Sequence, residues 1–242
     1  MKAILSLARG TLLAAALAAL VAGCARASGP FPDPPSMKTP AALSTGPQTV
    51  VLAGGCFWGM EGLFERVKGV VNVVSGYSGG SAATAHYEIV STGTTGHAES
   101  IEITYDPSVV NFGTLLKIYF SIAENPTELN FQGPDYGRQY RSVIFYQNEY
   151  QKQLAERYIK DIERARYYSS PIVTQVVSFK AFYPAEAYHQ HFLDKHPDDP
   201  YIVMWDLPKI RAFERTYPSL VAERFQPDSV FETDTNGGLR RM

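Results

Sequence analysis

Thr49-Val50-Val51-Leu52-Ala53 runs straight into Gly54-Gly55-Cys56-Phe57-Trp58-Gly59. The first five residues are β-rich without polar alternation, the pattern of a strand covered on both faces. Met60, Leu63, Phe64 and Val67 then recur at helical spacing, so the glycine pair reads as a tight strand-to-helix turn with Cys56 near the helix N-terminus. Unpaired N–H groups and the macrodipole at a helix start favour a thiolate, the form in which cysteine is a nucleophile. The competing reading is a buried cysteine that merely packs. Glycines on both sides let other atoms approach the sulfur, and Phe57 with Trp58 offers apolar surface beside it. Neighbouring helix positions point in different directions, so at least one of these aromatics is left to line something other than the core.

Residues 70–75 form a second β-rich run, closed by a loop signal, Gly76-Tyr77-Ser78-Gly79-Gly80, and residues 82–95 read as an irregular segment passing over the cysteine. Residues 100–105 alternate. Ile101, Ile103 and Tyr105 share one face, and counting back by two puts Glu99 on it. A carboxyl group removed from water keeps its proton at neutral pH and can donate it. The alternative is that Glu99 lies past the strand end, in solvent or an ion pair.

Asp106-Pro107 turns the chain, Asn111 caps a helix with Phe112, Leu115, Leu116 and Tyr119 on one face, and residues 125–137 form a loop. A strand over 142–146 completes β-α-β-β-α-β, which predicts an α+β fold, a ferredoxin-like two-layer sandwich. A long helix over 148–168, a strand over 172–179 and a C-terminal extension follow. His189, His191 and His196 lack a cysteine or paired acid at matching spacing; they read as decorating a helix over 185–195, with no metal site. Ile210 and Phe213 support a short helix within residues 210–242, which otherwise form a mobile tail.

With 242 residues, 45% of them hydrophobic, the chain can bury the core of one domain with appendages. Its 22 basic and 24 acidic residues leave a net charge of -2 with no basic block, which argues against a nucleic-acid partner. Residues 1–23 carry Lys2 and Arg9 before a short alanine-rich apolar run, the pattern of an export signal. Leu20-Val21-Ala22-Gly23-Cys24 resembles the lipobox of bacterial lipoproteins, which implies lipidation at Cys24; the plainer reading makes Cys24 a small residue beside an ordinary cleavage site. Ala25 lacks the aspartate associated with inner-membrane retention, so this resemblance implies an outer-membrane anchor facing the periplasm. Residues 24–47, rich in proline, serine and threonine, read as a tether, and the folded domain starts at Gln48.

The stretch Gly55-Cys56-Phe57-Trp58-Gly59 resembles the signature of class A peptide methionine sulfoxide reductases. Further matches follow in order: residues 75–80, Thr95-Gly96-His97-Ala98-Glu99, residues 132–137, Gln139-Tyr140-Arg141-Ser142 and Phe182-Tyr183-Pro184-Ala185-Glu186. The likeness runs from about residue 49 to residue 209, so residues 48–209 are expected to form the catalytic domain. It implies that Cys56 attacks the sulfur of an oxidised methionine, free or in proteins, while Glu99 gives a proton to the departing oxygen. It also implies a slot for the substrate methyl lined by Phe57 and Trp58, preference for the S-epimer, phenols of Tyr87 and Tyr140 on the sulfoxide oxygen, and an orienting role for Asp135. No bound cofactor is expected, and the chain is expected to act as a monomer.

Two departures lie near the site: the family's His-Asp-Pro is Glu124-Asn125-Pro126, and Pro134 precedes Asp135 where asparagine is frequent. A third is larger. No cysteine follows Cys56, so the chain resembles the single-cysteine branch, and the sulfenic acid left on Cys56 needs an external thiol, thioredoxin-like or small. A thiol peroxidase, or a membrane-tethered module that binds methionine without turnover, are the rival readings.

Overall fold

In the computed structural model of the chain, residues 30–225 are described in full, with the backbone of 231–233 and 239–241. The expected signal segment, Cys24 and most of the tail lie outside the described residues. In chain order the elements are β1 (Gln48–Ala53), α1 (Phe57–Glu65), β2 (Val70–Ser78), α2 (Tyr87–Val90), β3 (Ala98–Tyr105) and α3 (Phe112–Ile118). A hairpin of β4 (Phe131–Gln132) and β5 (Asp135–Tyr136) leads to β6 (Val143–Tyr146), α4 (Glu149–Arg164), β7 (Gln175–Ser178), β8 (Phe182–Pro184), α5 (Phe192–Lys195) and α6 (Leu207–Thr216). A ribbon of β9 (Phe231–Thr233) and β10 (Leu239–Arg241) ends the chain.

Six strands make one sheet in the order β7-β6-β1-β3-β2-β8. β1 is central, antiparallel to β3 on one edge and to β6 on the other. Only β6 and β7 run parallel, which requires a crossover, and α4 provides it. The apolar run of β1 is divided between two faces. Val50 and Leu52 join Ile101 and Ile103 beneath α1, α3 and α4 in the main core, whereas Val51 and Ala53 join Ala98, Val143 and Phe145 on the opposite face. Burial on that scale stabilises each large apolar side chain by about 1.5–3 kcal/mol. The Asn111 side chain accepts the Thr114 N–H, and Asn148 caps α4 in the same way through Gln151.

Several expectations are corrected. Residues 76–78 extend β2 rather than forming a loop, because a glycine at 76 admits Phe182 and the Tyr183 carbonyl of β8 against the strand. The helix expected over 185–195 is only α5, since His191 adopts a left-handed φ of 54° just before it. Tyr119–Ala123 and Ile202–Asp206 are π-helical turns, a widening no apolar periodicity announces. The tether is not free over its described part. Phe31 packs edge-on against Tyr158, Tyr167 and Tyr168, the Tyr158 hydroxyl donates to the Pro32 carbonyl, and Lys117 pairs with Asp33. The start of the tail is also fixed, by Arg224 donating to the Glu65 carbonyl and covering Phe225.

Candidate functional site

Cys56 is the N-cap residue of α1, reached through Gly55 at φ +93°, a conformation in which any other residue is strained. Both glycines are also needed for space. A Cβ on Gly54 would lie 2.9 Å from Cβ of Glu124, and one on Gly55 would lie 2.8 Å from Cβ of Gln132. Glu99 stands on β3 on the helix-covered face, as the alternation predicts, and is 2% exposed. Its Oε2 accepts the Phe57 N–H at 3.2 Å, one of the donors that a helix start leaves unpaired. Burial pushes the Glu99 carboxyl up to about 8, with the Asp135 charge adding and the Phe57 N–H opposing. At neutral pH this group holds a proton.

The sulfur behaves differently from the helix-start expectation. Burial raises the Cys56 thiol well above its usual value; Glu99, Asp206 and Asp135 push the same way, and only the Trp58 N–H opposes. Burial, reinforced by three acids, outweighs the Trp58 N–H, so the resting group is the neutral thiol.

Tyr87, Tyr140 and Asp135 converge on this pair. Burial raises both phenols, Tyr87 to about 12, and in each the next causes are Glu99 and then Cys56. Asp135 accepts a short hydrogen bond from the Tyr201 hydroxyl. The two aromatics after Cys56 diverge. Phe57 is 1% exposed, clamped between Tyr77 and His189, so it backs the pocket rather than lining it. Trp58 is half-buried, stacks on Phe192 at 3.7 Å and 10°, and donates its indole N–H to His189 Nδ1 at 3.1 Å. That bond leaves any ring proton of neutral His189 on Nε2, and burial lowers the histidine's pKa. Glu186 ties Tyr87 in place, accepting the Tyr87 N–H at 3.0 Å and the Tyr77 hydroxyl at 2.8 Å.

A family model described as peptide methionine sulfoxide reductase matches residues 48–220. The chain belongs to this family. It is 56% identical over 179 residues to peptide methionine sulfoxide reductase MsrA 2 of Mesorhizobium japonicum, covering 74% of this chain and 92% of that protein. It is 48% identical over 177 residues to the MsrA of Sulfolobus acidocaldarius, covering 73% and 99%. Among solved structures it resembles reduced Mxr1 from Saccharomyces cerevisiae, with 31% identity, a TM-score of 0.58 and coverage of 66% and 90%. Methionine sulfoxide reductase A of Corynebacterium diphtheriae gives 33%, 0.55, 70% and 86%.

Several further residues around Cys56 had no role assigned from the sequence, although Glu124 stood among the departures near the site. Tyr201, Asp206, Trp205 and Lys209 come from the second π-helical turn and its flanks, and Glu124 from the end of the first. Tyr201 and Trp205, with Cys56, Asp135, Glu124 and Lys209, line a cleft of about 240 Å³. Asp206 is buried against Gly59, with both oxygens unpartnered and its pKa raised by burial to about 7. Of the histidines, His191 meets acids that lie far away in sequence. Its N–H donates to Glu61 Oε2 at 2.8 Å and its Nδ1 lies 2.5 Å from Glu65 Oε1. The three side chains offer ligand atoms within 4.8 Å of one another, and in this arrangement they clamp α5 to α1.

Proposed function

We propose that this chain reduces the S-epimer of methionine sulfoxide, free or in proteins, to methionine through a sulfenic acid on Cys56. The observation that carries the reading is Glu99, a buried carboxyl that holds its proton at neutral pH, fixed to the N–H of the residue after Cys56.

The sulfoxide oxygen would rest on the Glu99 carboxyl and the Tyr87 and Tyr140 phenols, with the substrate methyl against Trp58. A sulfur held by its oxygen on one side and its methyl on another presents only one epimer to the thiol. Transfer of the Glu99 proton to the oxygen makes the substrate sulfur electrophilic. The Cys56 sulfur then attacks it, and the thiol's proton restores Glu99. As the hydroxyl passes from the substrate sulfur to Cys56 Sγ, the substrate's S–O bond and the newly formed sulfur–sulfur bond both break, leaving a sulfenic acid on Cys56 and a thioether two electrons richer. Asp135, held by Tyr201, orients the bound substrate. Phe57 lies behind the pocket, against Tyr77 and the His189 ring that accepts the Trp58 N–H.

No cysteine follows Cys56, so an external thiol, thioredoxin-like or small, returns it to the reduced state, and no bound cofactor is needed. We read the chain as an exported monomer that repairs oxidised periplasmic proteins from a lipid anchor on Cys24 at the outer membrane. Among the described residues no helix is long and apolar enough to cross a membrane. The four strands β6-β1-β3-β2 with their crossover helices support the ferredoxin-like reading of the sandwich.

Turnover of both epimers of a methionine sulfoxide peptide, with peroxide in parallel, tests the reading. Reduction of the S-epimer alone, abolished by Cys56→Ser, is expected; reduction of peroxide alone would replace it with a thiol peroxidase. Binding of oxidised methionine that survives Cys56→Ser without turnover would leave a tethered binding module.

A further inference from the structure

His189 lies in the turn between β8 and α5, is 1% exposed, and meets three residues of the site at once. Its ring centroid is 4.3 Å from that of Tyr87, 5.0 Å from that of Phe57 and 5.8 Å from that of Trp58. Its Nδ1 accepts the Trp58 indole N–H, and its backbone N–H donates to the Glu186 carbonyl at 2.9 Å. The Glu186 side chain in turn accepts the Tyr87 N–H. A turn of four residues therefore holds both the indole given to the substrate methyl and the phenol given to the substrate oxygen.

The chemistry of the ring fixes what it does there. An indole N–H donates and cannot accept, so Nδ1 must be bare and the neutral ring carries its proton on Nε2. Burial favours that neutral form, and the Glu186 charge opposes it. Nε2 itself is buried without a hydrogen-bond partner. The ring is thus turned to serve Trp58 while its second nitrogen goes unpaired. Packing alone does not account for this, because an apolar ring of similar size would fill the same space without leaving a polar atom unsatisfied. Trp58 is half-buried, so an indole that lost its acceptor would be free to turn its N–H toward water.

Resting on the proposed reaction, we infer that His189 is a positioning residue that sets substrate specificity: by holding the Trp58 indole beside Tyr87, it fixes the depth of the methyl slot and its angle to the oxygen site. The epimers of a sulfoxide differ in which direction from sulfur the methyl and the oxygen take. A site tells them apart only where the receptors for the two groups keep a fixed separation. The same wall meters the alkyl group, since one extra methylene in a well-formed apolar pocket changes kcat/KM by about ten- to two-hundred-fold.

The test compares methionine sulfoxide and ethionine sulfoxide peptides on the full chain. If the parent reduces neither, the proposed function itself fails; if it reduces both equally well, only this inference fails. His189→Phe keeps a ring and removes the acceptor. Its methyl-over-ethyl ratio of kcat/KM should fall by about ten-fold, through a higher KM for the methyl substrate with kcat within about three-fold. His189→Asn, whose amide oxygen reaches the level of Nδ1, should keep the ratio within about three-fold of the parent. In the Trp58→Phe background His189→Phe should lower the ratio no further, because the bond is already gone. A merely structural role would lower both substrates together and leave the ratio unchanged in every variant, which would overturn the inference, as would additive falls in the double variant. The unaltered chain gives a reading that needs no substitution: exchange of the Trp58 indole proton with solvent should be at least about ten-fold slower than in an unfolded peptide, and an equal rate would overturn the inference.

Discussion

On the Glu99 side of Cys56 the acid and the tryptophan stand on a strand and a helix, whereas on the Glu124 side two π-helical turns contribute. Glu99 arrives on β3, Trp58 on α1 and Tyr87 on the first residue of α2. Glu124, Trp205 and Asp206 arrive on two π-helical turns or at their ends, about eighty residues apart in sequence. Carboxyl groups end up buried on both sides, but the first is tied by a backbone N–H and the second is left with an unpartnered oxygen. A sheet and a helix hold a group at fixed register, which suits the step that must distinguish epimers.

The largest expected effect removes the atom the two sides share. Cys56→Ser should abolish sulfoxide reduction, by at least ~10³-fold, since a hydroxyl is a far weaker nucleophile than a thiolate and forms no sulfenic acid. Residual turnover above a few per cent would place the chemistry elsewhere.

Next comes the acid. Glu99→Gln keeps the shape and the contact with the Phe57 N–H but removes the proton, so kcat should fall by about 10²–10⁴-fold with substrate binding little changed. Because the carboxyl is raised to about 8, the parent's rate should decline as pH passes through that value, and the variant should lack this decline. Stability gives an independent reading. A folded-state pKa above the unfolded one means the native state holds its proton more tightly, so the contribution is complete below about 4.5 and lost as pH rises toward about 8. The melting temperature of Glu99→Gln relative to the parent should therefore climb between pH 5 and pH 8. A difference independent of pH would mean that Glu99 ionises normally.

These two residues were legible in the sequence because period-2 alternation and the strand-to-helix switch each fix a position to within a residue. The α+β class and β1, α1, β3, α3, β6 and α4 follow from the same signals, whereas α2 and the β4-β5 hairpin fell in stretches read as irregular or loop. Tyr201 and Asp206 were not legible, since nothing in Tyr201-Ile202-Val203-Met204-Trp205-Asp206 announces a π-helical turn or the sulfur it faces. The state of the Cys56 thiol differs for a related reason: the helix start is a local feature, while the burial that raises the thiol most, and then Glu99, Asp206 and Asp135, come only with the tertiary structure. The acids that meet His191 lie on α1, about 130 residues earlier, beyond any motif spacing.

The regular side of the comparison can be sharpened at Phe192. Its ring stacks on Trp58, which also bonds and packs on His189 and meets Tyr201 edge-on. Phe192→Ala should loosen the methyl slot, raising KM for a sulfoxide peptide by about three- to ten-fold with kcat within two-fold, as expected when roughly 1 kcal/mol of aromatic packing is removed. An equal loss in kcat would mean that Phe192 also holds the reacting geometry.

The smallest effect concerns residues 30–47, remote from both sides. A free tether contributes nothing to folding, so its substitution should be silent. Phe31, however, sits 4.7 Å from the Tyr167 ring and also meets Tyr158 and Tyr168, and its neighbour Pro32 takes the Tyr158 hydroxyl bond. Phe31→Ala removes a half-buried ring from that cluster, at a cost of about 1–3 kcal/mol. For a domain of this size the melting temperature should drop by about 2–4 °C per kcal/mol, with kcat/KM unchanged because no site residue touches Phe31. An unchanged melting temperature would return the segment to a tether. The expected drop would show instead that the chain preceding β1 is part of the folded unit, and that a lipid on Cys24 would hold the enzyme close to its anchoring surface by only the few residues between Cys24 and Phe31.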